Sequence, residues 1–287
     1  MKIVGTISTL RVACRRAARP LVLVPTMGAL HAGHAALIRK ARKIAGRNGT
    51  VAVSIFVNPI QFDSGEDLAS YPRPQVADQR LCKELGVDLI FRPSSAAEIY
   101  QSDHSVFVDE EVLSKNLCGE TRPGHFRGVC TIVTKLFHLF SPDAAVLGAK
   151  DYQQLAIIRR MVRDLNFPIR IIEHPTVREK DGLAMSSRNI RLNPAARAVA
   201  PGIYQALLQA KTNAQKYSPQ EVVEKLKADF NSLPGVRIDY VKCVNAASLQ
   251  CVADWTHPSI IAVAIFLDGV RLIDNIRLRR PRMPRKI

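Results

Sequence analysis

Two histidines separated by two residues are the first candidates for chemistry in this sequence. His31 and His34 follow an apolar run at residues 21–24, which predicts a buried parallel strand, and apolar residues at helical spacing continue to residue 45. The stretch 25–34 therefore predicts a strand, a glycine-containing turn and a helix start. Helix N-termini bind phosphate through unpaired backbone N–H groups, and an imidazole can donate to a phosphoryl oxygen. The alternative is a pair of ordinary surface histidines, and this motif alone names no substrate.

Polar side chains also follow other predicted strands. The apolar runs at residues 51–57 and 144–147 predict strands, and ligands of open α/β sheets bind at the carboxyl ends of strands. We therefore expect these polar side chains to converge on one site with the histidines. The expected set is Asn58, Gln61, Arg122, His125, Lys150 and Gln154, with Met185, Ser186, Ser187 and Arg188 from a second domain. Taken singly, each is an ordinary polar loop residue, and Ser-Ser-Arg is a common surface sequence.

The elements that must position these residues alternate between strand and helix in the N-terminal part. This alternation predicts a parallel sheet with helices on both faces, an α/β domain of Rossmann-like type over residues 1–176. Within it we expect further strands at 87–91 and 169–172, an edge strand at 104–108, and helices near 75–85, 129–140 and 155–165. Residues 119–128 contain so many helix and strand breakers that we expect irregular structure there.

The C-terminal part has a different pattern. We place the domain boundary after residue 176 and expect a smaller α+β domain over 177–287 that acts as a lid. The predicted elements are helices at 194–216 and 219–233 and strands at 238–244, 260–267 and 270–276. Asp268-Gly269 between the last two strands is a strong hairpin signal, so we expect an antiparallel sheet.

Composition limits the class of protein. The 287 residues carry a net charge of +16, which favours anionic partners without choosing among nucleic acid, nucleotides and acidic metabolites. Part of the excess lies in an Arg-rich C-terminal tail, which we interpret as a solvated terminus. Six cysteines without a C-x-x-C pair argue against a zinc site and a disulfide framework. With no signal-peptide pattern and no membrane-length apolar stretch, we expect a cytoplasmic protein.

Three common catalytic motifs are missing from the sequence. It contains neither the G-x-x-x-x-G-K-[ST] phosphate loop nor G-x-G-x-x-G, and it has no G-x-S-x-G nucleophile elbow. The expected site thus offers cations and hydrogen-bond donors but no evident protein nucleophile. Such a site suits attack by one bound substrate on the phosphate of another, catalysed by positioning and charge stabilisation.

Several stretches together carry a resemblance to a known family. They are PTMGALHAGH at 25–34, SIFVNPIQF at 54–62, YPR at 71–73, RPGHFRGV at 122–129, GAKDYQQL at 148–155 and VREKDGLAMSSRN at 177–189. In this order and spacing, over essentially the full length, the sequence resembles the pantothenate synthetase (pantoate–β-alanine ligase) family. The H-x-G-H and Ser-Ser-Arg segments also resemble the signatures of the wider HIGH-motif nucleotidyltransferases, which include class I aminoacyl-tRNA synthetases.

The resemblance implies a two-step reaction in the synthesis of a coenzyme A precursor. The pantoate carboxylate attacks the α-phosphorus of ATP to give pantoyl adenylate and pyrophosphate, and the β-alanine amine then displaces AMP to give pantothenate. It implies catalytic roles for His34, His31 and Lys150, and pantoate and β-alanine contacts from Gln61 and Gln154, with Asn58, Arg122 and His125 in nearby substrate loops. The implied ATP site comprises Met27, Gly28, Ala29, Leu30, His31, Ala32, Gly33, His34, Gly148, Ala149, Lys150, Asp151, Val177, Met185, Ser186, Ser187 and Arg188.

The same resemblance implies further partners. Mg²⁺ is implied as the counter-ion of ATP, with no ligands placed on this sequence, and a homodimer is implied, with no nucleic acid or membrane partner. Three positions depart from the family pattern: Cys118 and Ala149 stand where glutamate is common, and Ile60 stands where methionine is common. The first departure puts in doubt an acidic contact from the loop that contains Cys118.

The alternative interpretation is an RNA-binding or tRNA-synthetase-related protein with a nucleotide-binding fold. It would explain the charge of +16 and the Arg-rich tail. However, 287 residues leave little room for an anticodon-binding domain, and the sequence has no aromatic-rich RNA-binding motif. ATP–pyrophosphate exchange separates the two, since it depends on pantoate in one case and on an amino acid with tRNA in the other.

Overall fold

The computed structural model describes residues 1–62 and 68–278, which form two compact units. Unit 1 comprises residues 1–114, 122–149 and 154–177, and unit 2 comprises 115–121, 150–153 and the chain from Arg178 onward. The two short segments of unit 2 precede the boundary that we placed after residue 176. Lys150 and Asp151 are therefore part of unit 2. The predicted solvated tail lies outside the described residues from position 279.

Unit 1 contains a six-stranded parallel sheet, which confirms the α/β prediction. The strands are β1 (Lys2–Val4), β2 (Leu21–Thr26), β3 (Thr50–Ile55), β4 (Leu89–Phe91), β5 (Ala144–Gly148) and β6 (Arg170–His174), in the order β1-β4-β3-β2-β5-β6. The chain runs outward from β2 in one direction to β3 and begins again on its other side at β5. The carboxyl ends of β2 and β5 therefore flank the point where the strand order reverses, which is where ligands bind in such sheets.

The helices of the N-terminal part connect these strands. They are α1 (Ile7–Arg15), α2 (Ala32–Ala45), α3 (Gln75–Glu84), α4 (Cys118–Thr121), α5 (His125–Phe140) and α6 (Tyr152–Asp164). Helix α2 packs on β2, β3 and β5, and residues 21–24 of β2 are fully buried, as a central strand requires. We did not predict β1 and α1, because β1 has only three residues, of which only Val4 is buried.

The expected edge strand at 104–108 is wrong, since this segment has no regular structure. The backbone N–H of Val108 donates to the Thr131 side-chain hydroxyl at 3.0 Å instead of to a neighbouring strand. The His104 ring packs edge-on against Tyr100 and Phe107. The alternating apolar pattern of this segment therefore belongs to a loop, and side-chain contacts hold that loop in place of strand pairing.

The expected irregular structure at 119–128 is also wrong, because α4 ends at Thr121 and α5 begins at His125. Gly124 separates the two helices in a left-handed conformation, with φ of 81°. Gly128 lies inside α5, where a Cβ atom would come within 2.5 Å of the Ile60 carbonyl oxygen. Gly124 thus provides the turn between the two helices, whereas Gly128 allows a close approach of backbone without interrupting α5.

Unit 2 combines an antiparallel sheet with three helices from the C-terminal part. The strands are β7 (Val236–Asn245), β8 (Ser259–Leu267) and β9 (Val270–Leu278), in that order, and the helices are α7 (Pro194–Val199), α8 (Gly202–Asn213) and α9 (Pro219–Asn231). The predicted Asp268-Gly269 turn joins β8 to β9, and both residues have positive φ. The single helix predicted at 194–216 is wrong, because Pro201, which lacks a backbone N–H, separates α7 from α8.

Within the described residues, none of the helices has the length and apolar character that crossing a membrane requires.

Candidate active site

The two histidines cap the helix that follows β2. His31 is the N-cap residue of α2, in an extended conformation, and its Nδ1 accepts a hydrogen bond from the Gly33 backbone N–H at 3.1 Å. The His31 backbone N–H donates in turn to Nδ1 of His34 at 3.3 Å. The two ring centroids are 4.1 Å apart, and both side chains are partly exposed. The structure therefore confirms the predicted strand, turn and helix start. It brings both rings together at the N-terminus of α2.

These backbone contacts determine which nitrogen of each ring carries the proton. Because Nδ1 of His31 and Nδ1 of His34 each accept from a backbone N–H, the proton of each neutral ring lies on Nε2. Each ring is thereby prepared to donate from Nε2 beside the positive end of a helix dipole. This arrangement is suited to stabilising negative charge on a phosphate.

Asn58 and Gln61 form a buried amide pair at the carboxyl end of β3. The Asn58 Nδ2 donates to Gln61 Oε1 at 2.9 Å, and Gln61 Nε2 lies 3.2 Å from the sulfur of Met27. Tyr100 donates to Asn58 Oδ1 at 2.8 Å, and burial raises the pKa of Tyr100, which keeps its hydroxyl a donor. The Gln61 amide is therefore held with its NH₂ group toward a weak sulfur acceptor that a substrate oxygen can replace.

Arg122 and His125 contact the backbone of the same segment. Arg122 Nη2 and His125 Nδ1 both donate to the Gln61 carbonyl oxygen, at 3.1 and 2.8 Å. A cavity of about 160 Å³ beside them is lined in part by Gln61, Phe107 and His125. The structure thus joins Asn58, Gln61, Arg122 and His125 in one cluster within unit 1. The place in nearby substrate loops that we expected for Arg122 and His125 stays a prediction.

A second, larger opening lies at the carboxyl ends of β2, β3 and β4. This cleft of about 300 Å³ is lined in part by Met27, Gly28, Arg73, Asp78 and Arg92. Met27 therefore borders the cleft and also contacts Gln61. The loop after β2 is the structural link between the histidine pair and the amide pair.

Within unit 2, Lys150 and Ser186 line the same small cavity, together with Tyr204 and Asp274. The backbone carbonyl oxygen of Lys150 accepts a hydrogen bond from Asn275 Nδ2 at 2.8 Å, which holds the short 3₁₀ turn Ala149–Asp151 against β9. Two residues predicted to bind one phosphate chain are thus neighbours in this unit.

The loop that carries the Met-Ser-Ser-Arg segment is held by ion pairs within unit 2. Arg178 forms a bidentate pair with buried Asp274 and stacks on the Tyr204 ring with its guanidinium carbon 3.5 Å from the centroid. The Ser186 hydroxyl accepts from the Arg188 backbone N–H at 3.2 Å, which makes a local turn. Met185, Ser186, Ser187 and Arg188 are all partly exposed on this turn.

The remaining predicted site residues lie in both units, at or near the ends of the segments that the units share out along the chain. Gly148 ends β5, and Gln154 lies in the first turn of α6, both in unit 1. Val177 is the last residue of unit 1, whereas exposed Asp151 belongs to unit 2. Among residues 1–62 and 68–278, no group of three or more His, Cys, Asp or Glu side chains is arranged to hold a metal ion.

Cys118, which departs from the family pattern, lies in a polar cluster of unit 2. Its sulfur is 3.2 Å from the Tyr240 hydroxyl and 3.7 Å from both terminal nitrogens of Arg271. Arg271 is paired with Asp239 at 2.6 Å. The guanidinium that faces this position therefore has its carboxylate partner on β7, so the cluster is neutralised without an acidic residue at 118.

Comparison with known proteins identifies the family. The family model for pantoate-beta-alanine ligase matches residues 2–277. The chain belongs to the pantoate-beta-alanine ligase family. It is 52% identical over 259 residues to a pantothenate synthetase of Akkermansia muciniphila, covering 90% of this chain and 92% of the relative. A pantothenate synthetase of Syntrophus aciditrophicus is 46% identical over 268 residues, with 92% and 91% covered.

Solved structures of the family have the same fold. The crystal structure of pantothenate synthetase from Thermus thermophilus matches with a TM-score of 0.90 and 44% identity, covering 96% of this chain and 99% of that one. A pantoate-beta-alanine ligase from Francisella tularensis, complexed with beta-gamma ATP and beta-alanine, matches with a TM-score of 0.80 and 33% identity, covering 96% and 97%. The family assignment favours the ligase over the RNA-binding alternative.

Sequence reasoning missed two residues that hold predicted site residues, one in each unit. Asp78 accepts hydrogen bonds from the loop that precedes His31, and Asn275 holds Lys150. One signal was present for Asp78: it shares a face of α3 with buried Cys82, and a carboxylate on the buried face of a helix needs a partner. Nothing local to Asn275 marks its contact with a residue 125 positions earlier.

Proposed function

We propose that this chain is an ATP-dependent ligase that condenses (R)-pantoate with β-alanine to give pantothenate, AMP and pyrophosphate. The observation that carries the proposal is the family match over residues 2–277, supported by the histidine pair at the start of α2. In the first step a pantoate carboxylate oxygen bonds to the α-phosphorus of ATP, and pyrophosphate leaves. In the second step the β-alanine amine attacks the acyl carbon, AMP leaves, and the amine loses a proton.

His31 and His34 are assigned to the charge that develops on the phosphates during adenylation. Their Nε2–H donors are set before ATP arrives, because backbone N–H groups occupy both Nδ1 atoms. Donors that need no reorganisation lower the barrier for a step in which negative charge grows. The family resemblance also assigns Met27, Gly28, Ala29, Leu30, Ala32 and Gly33 to this nucleotide contact.

Gln61 and Gln154 are assigned to pantoate. Its carboxylate and hydroxyls are bound by neutral amides, which donate and accept without neutralising the nucleophile. The fixed orientation of Gln61 between Asn58 and Met27 supports this role. Asn58, Arg122 and His125 hold the loop that carries Gln61 and complete the substrate end of the site.

Lys150, Ser186, Ser187 and Arg188 are assigned to the triphosphate. A lysine ammonium and two hydroxyls suit a leaving pyrophosphate, and the shared cavity of Lys150 and Ser186 supports their common role. The remaining nucleotide contacts are proposed for Gly148, Ala149, Asp151, Val177 and Met185.

Mg²⁺ is proposed as the counter-ion of ATP. The ion usually binds through phosphate oxygens, water and one or two carboxylates, so it needs no dedicated cage. When bound, it would shield phosphate charge.

A homodimer is the assembly that we propose from the family resemblance. The mass of one chain is 31.8 kDa, so light scattering coupled to size exclusion distinguishes a particle of twice that mass from a monomer. A monomer at the concentrations used for assay would contradict this part of the proposal.

ATP–pyrophosphate exchange tests the central proposal. Exchange of labelled pyrophosphate into ATP is expected only when pantoate is present, and β-alanine is expected to release AMP and pantothenate in equal amounts. Parallel reactions that contain amino acids and tRNA in place of pantoate test the alternative interpretation, a tRNA-synthetase-related protein. Exchange that needs an amino acid and ignores pantoate would overturn the proposal.

A further inference from the structure

The loop between β2 and α2 has a backbone conformation that needs external support. Gly28 has φ of 89° and Ala29 has φ of 48°, and a left-handed conformation is unfavourable for alanine. Such conformations persist when surrounding contacts hold them, and they cluster at functional sites. The next residues, Leu30 and His31, lead directly into the histidine cap.

The Asp78 carboxylate supplies that support. Its Oδ2 accepts the Ala29 backbone N–H at 3.1 Å, and its Oδ1 accepts the Leu30 backbone N–H at 2.7 Å. The side chain projects from the first turn of α3, and the residue is only 2% exposed. The Tyr71 hydroxyl adds a third contact, to the Gly28 carbonyl oxygen at 3.3 Å. Three consecutive residues of the loop are thus held from outside it.

Charge is what allows one side chain to hold two adjacent N–H groups. A carboxylate accepts at both oxygens, whereas an amide of the same shape presents a donor at one position. Burial raises the pKa of Asp78, which means that the charged form carries a solvation cost at this position. The two backbone hydrogen bonds and the positive charge of Arg92 act in the opposite direction and favour the carboxylate, and the geometry of those two bonds is what points to a positioning role.

We propose that Asp78 is a positioning residue for adenylation: it fixes the Gly28–Leu30 turn and so sets where His31 and His34 meet the phosphates. The inference rests on the proposed function, since it gives Asp78 a role in that reaction. Asp78 acts through the backbone and need not touch a substrate. Tyr71 assists through the hydrogen bond from its hydroxyl to the Gly28 carbonyl oxygen of the same turn.

The alternative is that Asp78 only fastens α3 to the sheet. In that case its replacement would lower thermal stability and leave the turnover of folded enzyme unchanged. Asp143 offers a matched comparison, because its Oδ2 accepts the Leu21 backbone N–H at 2.6 Å at the opposite end of β2. Both carboxylates thus hold backbone at an end of one strand, but only Asp78 lies next to the histidine pair.

The test compares Asp78→Asn, Tyr71→Phe and the control Asp143→Asn. For each we would measure pantoate-dependent pyrophosphate exchange, ATP affinity by calorimetry and the melting temperature. A misplacement of about 1 Å can cost about 10²-fold in rate, so Asp78→Asn is expected to lower kcat by about 10- to 100-fold. ATP affinity is expected to change less than about 3-fold, because a positioning residue acts mainly on the transition state. Tyr71→Phe is expected to lower kcat in the same direction by a smaller factor.

The control and the contrary outcomes separate the hypotheses. Asp143→Asn is expected to lower the melting temperature and keep normal kcat. Normal kcat in folded Asp78→Asn would overturn this inference. If that variant does not fold, normal kcat in Tyr71→Phe would overturn it instead. In either case, pantoate-dependent exchange by the unmodified chain would still uphold the proposed function. Absence of that exchange in the unmodified chain would overturn both.

Discussion

His31 and His34 illustrate how a helix cap can prepare two side chains for chemistry. In most helices the N-cap acceptor is a hydroxyl, carboxylate or amide oxygen, and it only satisfies the first N–H groups. Here imidazole nitrogens perform that task, with Nδ1 of each ring as the acceptor. The consequence is that the proton of each neutral ring is directed to Nε2, so a structural contact decides which nitrogen is available as a donor in the adenylation that we propose.

Replacing His34 by alanine is expected to slow adenylation far more than it destabilises the fold. Loss of one preorganised donor to developing charge typically costs about 10²–10³ in rate. Single-turnover formation of pantoyl adenylate, with a melting curve beside it, measures both effects. His138→Ala is the control, because His138 is exposed near the end of α5 and packs on Phe167. Near-normal adenylation by His34→Ala would show that His34 has no catalytic role.

Replacing Gln61 by alanine is expected to raise the pantoate requirement and leave ATP binding nearly unchanged. A lost hydrogen bond to a charged substrate costs about 1.5–3 kcal/mol, which corresponds to a rise of about 10- to 100-fold in the KM for pantoate. The measurement pairs pantoate-dependent pyrophosphate release with ATP calorimetry, and Gln154→Ala is expected to behave alike. Lost ATP affinity with unchanged pantoate dependence would reverse the assignment.

At the scale of elements, a close approach between α5 and the segment after β3 positions the amide pair. Gly128 lies in α5, and Asn58 Nδ2 donates to its carbonyl oxygen at 3.1 Å. A Cβ atom on Gly128 would lie 2.8 Å from both Cα and N of Gln61. The helix and the segment that carries Gln61 are therefore in backbone contact, which explains why a glycine occupies the interior of this helix.

Gly128→Ala is expected to destabilise the protein, although alanine is the better helix former. Propensity favours alanine by about 1 kcal/mol, but the overlap involves backbone atoms that cannot rotate away, and overpacking typically costs about 1–3 kcal/mol. We expect a lower free energy of unfolding in denaturant and a raised KM for pantoate. Gly5→Ala is the control, since its Cβ would meet Arg92 at an ordinary 3.4 Å. A stabilised Gly128→Ala variant with normal KM would contradict the close approach.

At the scale of the whole molecule, the chain does not divide at one point. The segments 115–121 and 150–153 belong to unit 2 although the residues around them belong to unit 1. Tyr152 donates to the Ala246 carbonyl oxygen and Asn116 to that of Leu249, so each segment is held by the C-terminal part of the chain. The turn with Lys150 therefore depends on strands that come more than 80 residues later.

A chain that ends at Val177 is expected to lack pyrophosphate exchange and to melt below the full-length protein. It would lose the Asn275 contact to Lys150 and the partners of Tyr152 and Asn116. A chain that ends at Leu278 keeps every described contact and is expected to retain exchange. Calorimetric melting and exchange assays on both chains check this. Full exchange by the shorter chain would mean that unit 2 supplies nothing to adenylation.

The sequence by itself determined the family and most of the strands and helices. Buried parallel strands are continuous apolar runs, and Asp268-Gly269 is a local turn signal, so both are legible without tertiary contacts. The motif spacings predicted the ligase family that the comparisons show. The edge strand at 104–108 and the long helix at 194–216 were wrong, because loop packing and one proline outweighed a pattern that was locally reasonable.

Only the tertiary structure decided how the candidate site is held. Asp78 meets the loop after β2 across about fifty positions, Gly128 meets Gln61 across more than sixty, and Asn275 meets Lys150 across 125. Each contact joins side chain to backbone or backbone to backbone, and neither partner carries a local signal of the other. Periodicity reports which face of an element is buried, whereas the partner that meets that face is set by packing between distant segments.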